Sequence, residues 1–132
     1  MTNQRFDPDV MRAGGHHLEA FATANPDVTL AVLTSGDGFE VASYPAAQPI
    51  TPRIAAMSSS MQALSEALTR EAGLANNRNL IIETDDGTVM IMGVAGTPRL
   101  SLAIVAKKGE LLGKLLWAAR NLSKKLETSL RK

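Results

Sequence analysis

With 132 residues, 45% of them hydrophobic but only 4% aromatic, the chain is long enough to bury roughly two-thirds of its unfolded surface in one core of aliphatic and methionine side chains. It has no cysteine, no apolar run near the ~20 residues of a spanning helix and no apolar stretch in residues 1–9, which argues against disulfides, thiolate chemistry and membrane insertion and predicts a single cytoplasmic domain over 1–132. The formal net charge of +1 divides unevenly: residues 1–106 hold six Lys/Arg against eleven Asp/Glu, and residues 107–132 hold eight against two.

The first predicted element is an amphipathic helix over about 9–24, where Val10, Met11, Gly14, Leu18 and Phe21 fall on one side at helical spacing. Gly14 and Gly15 each cost up to ~1 kcal/mol against Ala inside a helix, so the pair points to close approach of another backbone. Asn25-Pro26-Asp27 ends it. Val28 to Thr34 and Phe39 to Tyr44 have strand character and flank Ser35-Gly36-Asp37-Gly38, a turn tolerant of positive φ, which predicts a β-hairpin. Both faces of the first strand are apolar, with Val28, Leu30 and Val32 on one and Ala31 and Leu33 on the other. A central strand covered on both sides is expected. Pro45 to Pro52 holds three prolines without periodicity and reads as a loop.

A middle helix is predicted from Arg53 to about Ala72. At 100° per residue, Ile54, Met57, Met61, Leu64 and Leu68 make one apolar stripe, expected to face the helix's own sheet. Ala56, Ser60, Ala63 and Ala67 make a second stripe of small residues, suited to a second helix packing close by. Gln62, Glu66, Thr69 and Arg70 take the remaining face, and Gly73 stops the helix. Three strands follow, Asn79 to Thr84, Thr88 to Val94 and Leu100 to Ala106, joined by Asp85-Asp86-Gly87 and Gly96-Thr97-Pro98-Arg99 as an antiparallel meander. A last helix is predicted from Glu110 to about Leu130, with Leu111, Leu115, Ala118, Leu122 and Leu126 as its apolar stripe. The cations concentrated there can face an acidic protein, a membrane surface or nucleic acid, but cations along a helix also simply keep it solvated. No nucleic-acid partner is inferred.

The element order α-ββ-α-βββ-α, the string Leu30-Ala31-Val32-Leu33-Thr34-Ser35-Gly36-Asp37-Gly38-Phe39, the helix opening Ala55-Ala56-Met57-Ser58-Ser59-Ser60-Met61, Asp86-Gly87 before a strand, and Leu102-Ala103-Ile104-Val105 ahead of Gly109 together resemble the Roadblock family, named from a dynein light chain. The likeness runs over about residues 10–130. It implies a profilin-like or longin-like three-layer α/β (α+β) fold: a five-stranded antiparallel sheet with the middle helix on one face and the first and last helices on the other. It also implies a homodimer made through the middle helices and the sheet edge at Asn79 to Thr84. Similar bacterial proteins bind Ras-like GTPases, and one group stimulates hydrolysis; other relatives scaffold dynein motors or lysosomal GTPase complexes.

Nothing in the residue inventory points to an enzyme, a cofactor or a metal. His16 and His17, the only histidines, point ~100° apart on a helix and cannot share one ligand, so an exposed-helix role is expected. Asp85 and Asp86 suit a turn, and Ser58-Ser59-Ser60 has no neighbouring base to activate a hydroxyl. There is no GxxxxGK[ST] loop and no GxGxxG fingerprint. An arginine supplied to a GTPase can be worth 10³ to 10⁵ in rate, and Arg53, Arg78 and Arg99 are placed for it near helix or turn ends; bacterial proteins of the resembling kind instead reshape the GTPase's switch region. Trp117, opposite the last helix's leucine stripe and between Lys114 and Arg120, suits a protein-contact anchor or a cover over its own domain's rim. The expectation is therefore a non-catalytic homodimeric regulator or scaffold for a small Ras-like GTPase. Its dimer or partner interface is expected at Ala56, Met57, Ser60, Met61, Ala63, Leu64 and Ala67, with Arg53 and Trp117 as further partner contacts. The alternative is a sensory, ligand-binding domain, which requires a buried cavity ringed by polar groups.

Overall fold

Asp7 sets the start of the first helix: its carboxylate accepts a hydrogen bond from the Asp9 amide at 2.8 Å, Pro8 follows in the first turn, and α1 runs Pro8–Ala24. The computed structural model describes residues 7–96, 99–109 and 112–130; Glu110 and Leu111, expected at the head of the last helix, and Thr97-Pro98 in the last turn of the meander lie outside them. Asn25 closes α1 from a buried position, donating from Nδ2 to the Phe21 carbonyl at 2.8 Å and from its backbone amide to Ala22.

The remaining elements are β1 (Val28–Ser35), β2 (Glu40–Tyr44), α2 (Thr51–Glu71), β3 (Asn79–Glu83), β4 (Gly87–Val94), β5 (Leu100–Lys107) and α3 (Leu112–Ser129). The strands form one antiparallel sheet in the order β2-β1-β5-β4-β3. In the first hairpin Ser35 Oγ donates to Asp37 Oδ1 at 2.6 Å and accepts from the Phe39 amide at 3.0 Å, while Gly38 takes φ +92°, a conformation open to glycine at little cost. In the second, Thr84 Oγ1 accepts from the amides of Asp86 and Gly87, and a Cβ on Gly87 would run into the Ala106 carbonyl of β5.

Alternation along β1 divides its side chains between the two faces. Ala31 and Leu33 join the larger core with Leu18 and Phe21 of α1 and Leu115, Leu122 and Leu126 of α3. Leu30 and Val32 meet Ala55 of α2 on the opposite face. Val28, expected beside Leu30 and Val32, instead belongs to the larger core. The register explains it: Val28 stands opposite Ala106 and Leu30 opposite Val105, so Thr29 is an extra residue and the alternation changes phase there. In α3 the buried row is Leu115, Ala119, Leu122 and Leu126, with Ala119 in the place expected of Ala118.

The glycine pair of α1 has divided duties. A Cβ on Gly14 would meet Leu33 Cδ2 at 3.2 Å and Ala42 Cβ at 3.4 Å, so close approach is real, though to side chains of the sheet and not to a backbone. Gly15 has nothing within 4 Å. Among the described residues, no helix is long and apolar enough to cross a membrane.

Candidate functional surface on the middle helix

Helix α2 begins at Thr51, two residues ahead of the expected Arg53, with Thr51 itself buried and Pro52 in the first turn. Its buried row is Thr51, Ala55, Ser58 and Gln62, at i, i+4, i+7 and i+11. These are small or polar side chains. Ser59 Oγ adds a hydrogen bond to the Gly36 carbonyl of the β1–β2 turn at 2.9 Å. Further along, Gln62 Nε2 donates to Glu66 Oε2 at 2.9 Å, and the same carboxylate holds Arg99 Nη2 at 2.7 Å, laying that guanidinium over Gly93 of β4. Asn77 Nδ2 ties the chain after the helix to Ser65 Oγ at 2.8 Å and Thr69 Oγ1 at 2.9 Å.

The large apolar side chains therefore point away from the sheet. Met57, Met61, Leu64 and Leu68 are 54%, 36%, 71% and 69% exposed, which overturns the expectation that this stripe packs on the helix's own sheet. Ile54 alone of the five keeps contact, packed beside Ala55. Gln62, Glu66 and Thr69, assigned to the remaining face, lie on the inner side, Gln62 only 6% exposed. The polar lattice just described compensates this burial in part: Gln62 Nε2 is bonded to Glu66 and Glu66 to Arg99, while Gln62 Oε1 and Thr51 Oγ1 are buried with no hydrogen-bond partner among the described residues.

All seven residues expected at an interface, Ala56, Met57, Ser60, Met61, Ala63, Leu64 and Ala67, are exposed on this outward face. None divides off into the core, contrary to expectation. At the free edge of the sheet, β3 presents Leu80 and Ile82, both half-buried; by alternation with Ile81, which packs on the larger core, they lie on the α2 side. The two further contact residues are separated by the sheet: Arg53 is exposed at the start of α2, whereas Trp117 is 69% exposed on α3 in the opposite layer. Of the three arginines expected near helix or turn ends, Arg99 is held by Glu66; it joins Arg70 and Arg78 around a solvent-open hollow of about 500 Å³ at the C-terminal end of α2. The bridge from Gln62 through Glu66 to Arg99 was not foreseen from the sequence, since nothing local links residues 62 and 99.

His16 is exposed as expected, but His17 is half-buried, with ring centroids 6.1 Å apart in an edge-to-face arrangement. Burial, then the neighbouring His16 and Lys125, lower the His17 pKa below 6.5.

A five-stranded antiparallel sheet of order β2-β1-β5-β4-β3, with two helices on one face and a single outward-turned helix on the other, defines a three-layer α/β protein of profilin-like type. Residues 17–106 match the Roadblock/LC7 domain, and the chain belongs to that family. A Roadblock/LC7 domain from Streptomyces avermitilis is similar at a TM-score of 0.79 and 20% identity, over 88% of this chain and 96% of that one. An MglB in tetrameric arrangement gives 0.81 at 17% identity over 95% and 93%. Profilin IA from Acanthamoeba castellanii gives 0.52 at 16% identity over 86% and 96%, a likeness of fold alone. No curated protein matches the chain in sequence.

Proposed function

We propose that this chain is a non-catalytic regulator or scaffold, acting as one domain, that pairs with a second copy through α2 and the β3 edge and offers the paired surface to a small Ras-like GTPase. The observation that carries the reading is the inverted helix: four large apolar side chains of α2 face outward while Thr51, Ser58 and Gln62 face the sheet. Covering what remains exposed of each contributes about 1–2 kcal/mol by area, which a lone chain forgoes. Ala56, Ser60, Ala63 and Ala67 run beside them and let a partner helix approach to the ~8 Å end of ordinary interaxial distances. The β3 edge has unpaired backbone groups that a second copy can use to extend the sheet.

Self-association is in keeping with the tetrameric arrangement of the similar MglB. The GTPase as partner rests on the Roadblock family itself. The mode of action rests on the family resemblance: the sequence carries no nucleotide-binding loop of its own, and similar bacterial proteins work by reshaping the switch region of the GTPase they bind. Light scattering on the protein and on Leu64→Glu tests the pairing, and the variant is expected to halve the mass. An unchanged mass removes the reading. Retention of a Ras-like GTPase from the same genome, loaded with a GTP analogue but not with GDP, then tests the partner.

A further inference from the structure

Across the sheet from α2, the seam between α1 and α3 is a groove of about 410 Å³ that the α2 reading does not use. Helix α3 lines it with Lys114, Trp117, Asn121 and Lys125, a row at helical spacing beside the row that α3 buries. Helix α1 faces it with His17, Phe21 and Ala24. Two helical rows that face each other leave a trough with the period of a helix, the shape that a third helix fills. Lys125 lies eleven residues after Lys114, about 16 Å or three turns along the helix.

The chemistry of the trough is as definite as its shape. The Trp117 ring is 69% exposed on one wall, a large rigid apolar surface of the kind that anchors protein contacts. Among the described residues its lining includes Lys114 at one end and Lys125 at the other, and no carboxylate. Arg120 and Lys124 on α3 extend the positive potential.

We propose that this trough is a docking site for an acidic amphipathic helix, whose apolar side chains seat against Trp117 and Phe21 and whose flanking carboxylates reach Lys125. Complementary charge selects an acidic partner over a neutral one, and sets the direction in which salt weakens the complex. The site is independent of pairing through α2, because the sheet separates them.

Trp117 is the chain's single tryptophan, so its fluorescence reports on the trough directly. The probe is a synthetic helical peptide about three turns long, with leucines on one face and glutamates flanking them, and its counterpart with lysine for glutamate. The acidic peptide is expected to shift the emission to the blue and saturate, with affinity falling on the order of tenfold in Lys125→Glu and falling with salt; the basic peptide is expected to do neither. Trp117→Ala, followed by calorimetry, is expected to abolish binding while the circular dichroism spectrum and the mass in solution stay unchanged. Equal binding of both peptides, no spectral shift, partition onto anionic vesicles in preference to the peptide, or a gain in mass that Trp117→Ala removes would each overturn the proposal, the last two by assigning the trough to a lipid surface or a second copy.

Discussion

The two faces of the sheet are covered by opposite logic. On one, α1 and α3 bury Leu18, Phe21, Leu115, Leu122 and Leu126 and turn their charges outward, as an amphipathic helix does when its own sheet is its destination. On the other, α2 lays Ala55, Ser58 and Gln62 on the sheet and turns methionines and leucines outward. Both helix types have an apolar stripe. The stripe marks where a helix wants contact, and whether that contact is internal depends on what else the chain supplies for the inner side.

The largest expected effect breaks the comparison most directly. Leu126→Ala, at a side chain with no exposure, is expected to cost about 2–5 kcal/mol in urea unfolding, whereas Leu64→Ala measured at dilutions where the protein is monomeric costs within about 0.5 kcal/mol. Equal losses would mean that α2 packs as α3 does. Next, Leu64→Glu together with Leu68→Glu is expected to leave the helical spectrum intact and to abolish any dependence of Tm on protein concentration, since only the paired form is affected.

A smaller contrast lies within α1. Gly15→Ala, with open space around it, is expected to raise stability by about 0.5–1 kcal/mol; Gly14→Ala gains less or loses, because Leu33 and Ala42 must yield. The smallest effect is that of His17. Its lowered pKa means that the folded protein resists protonation more than the unfolded chain does, so the protein keeps its full stability above pH 6.5 and loses some as pH falls below it, through the lowered value. His17→Gln is expected to flatten the fall in Tm between pH 7.5 and about 5, and a profile identical to that of the parent would show that the half-buried ring is not felt.

Much of the fold was legible because its signals are local. The Ser35 to Gly38 and Asp85 to Gly87 turns, the glycine stop at Gly73 and the periodicity of α1 and α3 each act within a few residues, and their elements fall within two or three residues of where the pattern puts them. The outward residues of α2 were legible as a candidate surface, but the division into one internal and one external stripe was not. That failure has a specific cause: the apolar stripe was assigned to the sheet, whereas Gln62, Glu66 and Thr69 of the remaining face take the inner side, where they bond to one another, Ser65, Asn77 and the distant Arg99. The trough at Trp117 was half legible, its anchor visible on α3 but its facing wall contributed by a helix some hundred residues earlier.

By itself, then, the sequence determined which segments are helix and strand, where the chain turns, and that three helices each carry an apolar stripe, because propensity, turn chemistry and period are properties of neighbouring residues. The tertiary structure alone decided which way α2 faces, which strands form the edges and what meets across the α1–α3 seam. Those are set by competition among distant surfaces for one sheet, and the winner depends on hydrogen-bond partners that no local pattern encodes.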